Sequence, residues 1–236
     1  MNLVLLTTDT AHHRYFAWKI AERYPFRGIL VEGGRAEPRF ETHHPFEDER
    51  DAYEREVLLA GCRSGLEDFA ETVRVEGIND APALEAMDRF QADVAVIFGT
   101  RRIRTPMIRR ALRNCLNLHG GNPEEYRGLD SHLWAIYHED FGNLQTTLHQ
   151  VDRGLDTGDI VGRIPLALER GMRLSHLRSV NTRACVSLTE RALEEIRSRG
   201  TLAARPQARR GRYYSFMPAV LKDGCVARFE RHVSSR

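Results

Sequence analysis

The sequence predicts an α/β protein built on an open, mostly parallel sheet, followed by a smaller C-terminal α+β appendage. Three observations carry this. The chain opens with an apolar run at residues 2–8, a helical pattern at 12–24 and a second apolar run at 26–32. Strand, helix and strand in that order make a parallel pair through a right-handed crossover. Residues 93–99 (Asp-Val-Ala-Val-Ile-Phe-Gly) are apolar on both faces, the pattern of a central strand covered on both sides. Finally, 236 residues are enough for one large domain, and a chain of that length buries about 70% of its unfolded surface without disulfides or metal.

The elements follow in order. In the first helix Tyr15, Ala17, Trp18, Ala21 and Tyr24 fall near the 3.6 period, and Pro25 ends it. Residues 33–48, with Gly33-Gly34, Pro38 and Pro45, read as a loop, and 49–65 as a charged amphipathic helix. A short strand follows at 72–75. Asp80 is placed to cap a helix with Pro82 near its first turn. After the central strand come a helix at 106–112 and a strand at 115–119 that ends in Asn117-Leu118-His119. Residues 131–140 read as a helix, and 145–151 and 159–165 as strands around the turn 152–158. A long helix at 174–199 turns Leu174, Leu177, Val180, Val186, Leu188, Leu193 and Ile196 to the core. Residues 200–212 read as a linker, and the tail as an added helix and hairpin beginning at Tyr213-Tyr214-Ser215-Phe216. The domains are therefore expected at 1–168 and 169–236.

Composition narrows the function. Hydrophobic residues make up 42% and charged residues 29%, as in a soluble globular protein, and no apolar run approaches a membrane span. The first residues read as a strand rather than a secretion signal. A net charge of +2 gives no case for a nucleic-acid partner. Four scattered cysteines with no Cys-x-x-Cys pair suit reduced, packed thiols in the cytoplasm. There is no Gly-x-Gly-x-x-Gly after the first strand, no P-loop and no Gly-x-Ser-x-Gly elbow. The pairs His12-His13 and His43-His44 lack a Cys/His cluster, and neighbours on one element point apart, so no metal site is expected.

The chemistry concentrates between residues 115 and 160. Asn117 and His119 are two apart at a strand end, so their side chains share a face. The carboxyl edge of a parallel strand is where open α/β sheets place their sites. An amide can donate to a developing oxyanion and an imidazole can move a proton, which suits acyl transfer. Asp156, from a glycine-bracketed loop, could orient that imidazole. Asn, His and Asp-Thr-Gly are also common structural residues at strand ends and turns, and spacing alone leaves both readings open.

A resemblance goes further. Asn117-Leu118-His119, Tyr126-Arg127-Gly128, Trp134-Ala135-Ile136 and Thr147-Leu148-His149-Gln150-Val151-Asp152-Arg153-Gly154-Leu155-Asp156-Thr157-Gly158-Asp159-Ile160 agree in type, order and spacing with the folate-dependent formyltransferase family. The match covers about residues 90–168 and, more loosely, the opening β-α-β. It implies a Rossmann-like formyltransferase fold and 10-formyltetrahydrofolate as donor to a primary amine, with no metal. Asn117, His119 and Asp156 correspond to the family's catalytic triad. Arg102, Ile103 and Arg104 fall in its pteridine loop, with Val151, Asp152, Gly154 and Leu155 on the opposite wall. His12, Gly121, Asn122 and Tyr126 are the implied substrate contacts. Gly121 stands where the family usually has Ser, and Asn122-Pro123 where it has Leu-Pro, so the loop facing the acceptor is altered.

The acceptor is less constrained. Residues 7–13 lack the glycines of a phosphate cradle, which argues against a purine-pathway amine. In size the chain is nearest the sugar N-formyltransferases, which implies a nucleotide-linked amino sugar and a homodimer. Tyr213, Tyr214 and Phe216 suit either stacking on that substrate or covering an interface. Other small amines, methionyl-tRNA, glycinamide ribonucleotide, hydrolysis of the donor by water, and a non-enzymatic folate-binding module are the alternatives. Residues 33–66 receive no role.

Overall fold

The computed structural model describes residues 1–34, 37–62 and 64–235. A seven-stranded sheet runs in the order β3-β2-β1-β4-β5-β7-β8. Its strands are β1 (Leu3–Thr7), β2 (Phe26–Glu32), β3 (Thr72–Val75), β4 (Val94–Phe98), β5 (Asn114–His119), β7 (Gln145–Gln150) and β8 (Ile160–Pro165). The first five are parallel; β7 lies antiparallel to both β5 and β8. The fold is thus α/β with a mostly parallel sheet, as the alternation of strand and helix predicts.

One face of the sheet packs Leu3, Leu5, Ile29, Val96 and Leu116 against α1 (Ala11–Ala21) and α6 (Leu177–Arg199). The other packs Val4, Leu6, Leu30, Ala95 and Ile97 against α3 (Ala81–Phe90) and α4 (Thr105–Ile108). Adjacent residues of β1 point to opposite layers, so a run apolar throughout is what a central strand requires.

Several expectations are corrected. The buried face of α1 is His12, His13, Phe16, Ala17 and Ile20, not the Tyr15–Trp18 side, where Lys19 covers the Trp18 ring. The segment expected as a loop holds the start of α2 (Pro45–Tyr53): His44 caps it, Glu47 closes a capping box, and Pro45 sits in the first turn where its missing N–H costs nothing. The helix then runs on as a π-helix, Glu54–Leu58, rather than to residue 65. Downstream of β4, α4 stops at Ile108, short of the expected 112.

The C-terminal part differs most. A third core cluster joins α5 (Ser131–Tyr137) to α7 (Ala219–Ser234), which buries Cys225, Phe229 and Val233; the expected tail is mainly this helix. In place of a hairpin, β9 (Arg212–Tyr214) pairs parallel to β6 (Tyr126–Gly128), a strand too short for a periodic signal. The stretch read as a linker is fastened down. Glu124 accepts from Arg205 Nη1 at 3.1 Å and Ala208 N at 2.5 Å and pairs with Arg163. The Arg205 bond leads the contacts that hold its carboxyl down to about 2. Arg209 pairs with Glu125, so two of this stretch's arginines are committed inside the chain.

At the β6–β9 crossing, Gly128 has φ +94° and a Cβ there would lie 2.1 Å from the Tyr214 carbonyl oxygen. Gly128→Ala is therefore expected to destabilise by about 1–3 kcal/mol, from left-handed strain and separation of the strands. Thermal denaturation checks this; an unchanged midpoint would mean the pairing gives way freely.

Candidate active site

The carboxyl ends of β4 and β5 open into one cavity of about 560 Å³. A parallel sheet places its strand ends there, which brings the loops after β1, β4 and β7 together. Asn117 and His119 project from the end of β5, two apart on one face. Register sets Asn117 opposite His149 and His119 opposite Thr147 on antiparallel β7. The turn after β7 returns Asp156 to the same point. Asp152 shapes that turn: its Oδ1 accepts from Gly154 N at 2.8 Å and Thr157 Oγ1 at 2.7 Å. Asp156 itself sits at φ 54°, a left-handed conformation that Asp tolerates better than most residues.

Hydrogen bonds fix which atoms are free to react. His119 Nε2 lies 2.8 Å from the Tyr126 carbonyl oxygen. A carbonyl only accepts, so Nε2 carries the proton and Nδ1 is the lone pair, 3.6 Å from Asp156 Oδ2. His149 repeats the logic: Nδ1 donates to the Gln150 carbonyl at 2.7 Å, and Nε2 accepts from Asn117 Nδ2 at 3.1 Å. That orients the Asn117 amide, whose second N–H faces Asp156 Oδ1, with Nδ2 at 3.4 Å from it. Asp156 Oδ2 also accepts from Gly128 N at 2.8 Å. Burial works to raise the Asp156 carboxyl. Positive charge on the facing His119 and His149 rings, when they are protonated, and the Gly128 N–H outweigh it, and the group stays ionised well below the usual carboxylate range.

The walls come from two loops. After β4, Glu32 accepts from Arg101 N at 2.7 Å, Arg101 Nε at 2.9 Å and Ile78 N at 2.9 Å. Asn79 adds bonds to Arg102 O at 2.9 Å and Arg104 N at 2.7 Å. The two walls touch where the Arg102 guanidinium donates to the Arg153 carbonyl. Of the predicted donor-site residues, Arg102, Ile103, Val151, Asp152, Gly154 and Leu155 line the cavity. Arg104 does not; it caps α4 with its backbone.

His12, one of the expected substrate contacts, lines the cavity, but Gly121, Asn122 and Tyr126 lie behind it. Gly121 O accepts from Thr147 Oγ1 at 2.7 Å, the Asn122 amide donates to Asn143 Oδ1 at 2.8 Å, and the Tyr126 hydroxyl donates to Asp140 at 2.9 Å. They buttress the loop that carries His119.

Sequence reasoning missed several residues. His149 was legible: it alternates with Thr147 on a strand that pairs with Asn117 and His119. His13 was set aside because neighbours diverge, yet His12 and His13 both face inward with ring centroids 3.9 Å apart. Burial holds both imidazoles well below their ordinary pKa. Beside them the fully buried Glu54 takes a two-point ion pair from Arg178, Nε and Nη2 each at 2.6 Å. Tyr213, named above as a stacking candidate, lines the cavity too, and so do two residues the sequence did not single out, His132 and Asn181. Nothing local in the sequence marks these; they converge only through the fold. Among the described residues no group of three or more His, Cys, Asp or Glu is placed to hold a metal. No helix of the described residues is long and apolar enough to cross a membrane.

Comparison with known proteins agrees with this fold. Residues 66–168 match the formyl transferase family model. Methionyl-tRNA formyltransferase of Thermosynechococcus vestitus is 32% identical over 128 residues, 52% of this chain and 36% of that protein. Across the curated relatives it matches, the aligned part of the chain spans 25% to 50% of their length. HypX from Aquifex aeolicus, solved in complex with tetrahydrofolic acid, superposes with a TM-score of 0.60 at 18% identity, over 99% of this chain and 34% of that one. The formyltransferase PseJ from Anoxybacillus kamchatkensis was solved with UDP-4,6-dideoxy-4-formamido-L-AltNAc and tetrahydrofolate. It superposes with a TM-score of 0.53 at 18% identity, over 91% of this chain and 86% of that one. At these identities the likeness establishes a shared fold.

Proposed function

We propose that this chain, which belongs to the formyl transferase family through residues 66–168, transfers a formyl group from 10-formyltetrahydrofolate to a primary amine. The observation that carries the reading is the meeting of Asn117, His119 and Asp156 on one wall of a cavity whose other walls are the loops at 99–103 and 151–155. The cavity suits a pteridine: Ile97, Phe98, Ile103, Val151 and Leu155 offer apolar surface for a flat ring, and loop backbone offers polar edges.

The residues divide the work as follows. As the amine nitrogen bonds to the formyl carbon, negative charge grows on the formyl oxygen. Asn117 Nδ2, oriented by His149, turns to it the N–H that otherwise faces Asp156 Oδ1 at 3.4 Å; losing such a donor costs about 10²–10³ in rate. The attacking nitrogen must shed a proton. His119 Nδ1 is the open lone pair, and Asp156 stabilises the imidazolium that results. That proton then goes to the departing folate nitrogen as its bond to the formyl carbon breaks.

The acceptor best matched to the site is a nucleotide-linked amino sugar. Tyr213 stands 53% exposed on the cavity rim, where an aromatic ring can stack on a base. The curated relatives favour a second reading, formylation of methionyl-tRNA. A donor-consumption assay decides. Protein and 10-formyltetrahydrofolate are mixed with UDP- and dTDP-linked amino sugars, glycinamide ribonucleotide, amino acids, methionyl-tRNA, or water alone. Release of tetrahydrofolate with a formyl mass gain on one amine is the expected result. Release with water alone would make the protein a hydrolase, and absence of folate binding would overturn the reading.

A further inference from the structure

We propose that His132, Asn181 and Ser131 form the subsite that receives the acceptor amine, with His132 Nδ1 taking a hydrogen bond from the attacking nitrogen; this rests on the formyl-transfer reading above. None of the three belongs to the motifs that carry the family resemblance. They come from the first turn of α5 and the second turn of α6, and they converge on the backbone just after His119. A Cβ built at Gly120 would stand 3.2 Å from His132 Cε1, 3.4 Å from His132 Nδ1 and 3.7 Å from Asn181 Nδ2. One built at Gly121 would stand 2.9 Å from Ser131 Cβ and 3.0 Å from His119 Nε2. The glycine pair thus lets this wall close up beside His119, and Gly121 replaces the serine usual in the family.

Each group has a hydrogen-bonding valence left over. His132 Nε2 lies 2.7 Å from the Gln145 carbonyl oxygen, so it holds the ring proton. Nδ1 is then a lone pair with no hydrogen-bond partner among the described residues, on a ring that lines the cavity. Burial holds the ring's pKa down at about 4, so the lone pair is present at neutral pH. Asn181 Oδ1 accepts from Thr146 Oγ1 at 2.6 Å, which turns Nδ2 away from Thr146; its protein contact is Cys185 Sγ at 3.8 Å. Ser131 Oγ is buried and has no hydrogen-bond partner among the described residues. A buried polar atom left without a partner is costly, and a polar ligand that reaches it relieves that cost.

The complement of one acceptor, one donor and one hydroxyl is an amine with an oxygen on a neighbouring carbon, the pattern of an amino sugar. His132 Nδ1 would accept one N–H and so aim the nitrogen lone pair. Asn181 Nδ2 would donate to the oxygen. His132 undergoes no covalent change; the proton released on attack goes to His119.

The test compares His132→Leu, which removes the lone pair, with His132→Asn, whose Oδ1 can replace Nδ1. Steady-state kinetics use the amine of the panel above that the wild type formylates fastest, and calorimetry follows binding of folinic acid. His132→Leu is expected to raise the amine KM about 10–100-fold. The Kd for folinic acid should stay within about twofold, and His132→Asn should recover most of the amine affinity. An unchanged amine KM, a parallel rise in the folinic acid Kd, or no recovery by Asn overturns the assignment. Ethanolamine should outperform ethylamine as acceptor or inhibitor; equal responses remove Asn181 from the subsite. Long-range ¹H–¹⁵N NMR of histidine-labelled wild type needs no variant and no acceptor. It should find the His132 proton on Nε2, and a proton on Nδ1 overturns the proposal. If the wild type binds folinic acid but formylates no amine, the transferase reading fails, and the tautomer still decides His132.

Discussion

Asp156→Asn is expected to lower kcat/KM for formyl transfer by about 10²–10⁴ while the far-UV spectrum stays that of the wild type. Asparagine keeps the shape and tolerates the φ of 54°. Its oxygen can still accept from Gly128 N. What it lacks is charge: no carboxylate faces His119 Nδ1 across the 3.6 Å gap, so protonating that nitrogen as the amine attacks gains nothing from its neighbour. Asp156→Ala should lose as much rate and also stability, because alanine in the left-handed region costs about 1–2 kcal/mol. A variant within tenfold of the wild type would remove Asp156 from the chemistry. The stability consequence has a defined sign. A carboxyl held below its ordinary value contributes stability above its unfolded pKa, near about 3.9, and loses it as pH falls through the folded value. The wild type should therefore melt above Asp156→Asn near about pH 5, and the margin should close in stronger acid.

Most of the parallel sheet and the juxtaposition of Asn117 with His119 were legible in the sequence because both are local. Residues 2–8 and 93–99 are apolar on both faces, which only a covered parallel strand explains. Asn117 and His119 lie two apart on one strand, and the Asp156 turn is bracketed by glycines. The remainder of the site depends on long-range placement. Glu54, Arg178, His132 and Asn181 come from stretches up to 127 residues apart, since Asp51 as well as Glu54 answers Arg178, and no local period relates them. The short strands β6 and β9 escaped because three residues cannot display alternation. The C-terminal helix was expected but its bounds were not legible, because its buried face is discontinuous: Lys222 is among its buried residues, with Nζ bonded to Thr42 O and to Glu47 at 3.2 Å. A charged residue on an inward face breaks the apolar pattern, and only the partner across the fold explains it.

Arg178→Met is expected to lower stability by about 3–5 kcal/mol, a melting shift of about 6–20 °C for a chain of this size. Glu54 is fully buried, and two of its close contacts are the Arg178 guanidinium and His12 Nδ1 at 3.4 Å. Removing the guanidinium strands a carboxylate where water does not reach, and His12, held neutral by burial, is a poor substitute for a cation. The methylene stem of methionine replaces the packing, so the loss isolates charge. Lysine should fall short of wild type as well, because one ammonium cannot occupy both oxygens as Nε and Nη2 do. The double variant Glu54→Gln/Arg178→Met supplies the control. If the cost is the unpaired charge, the double variant is more stable than Arg178→Met alone, and the coupling in the cycle is large. If both melt alike, the pair contributes by shape, and the energetic account is wrong. Arg178 stands on the cavity wall with His12 and His13, and its pairing with the buried Glu54 behind that wall ties the π-helix 54–58 to α6. Stability and cavity shape are therefore linked here: a segment with no motif of its own supports one wall of the cavity.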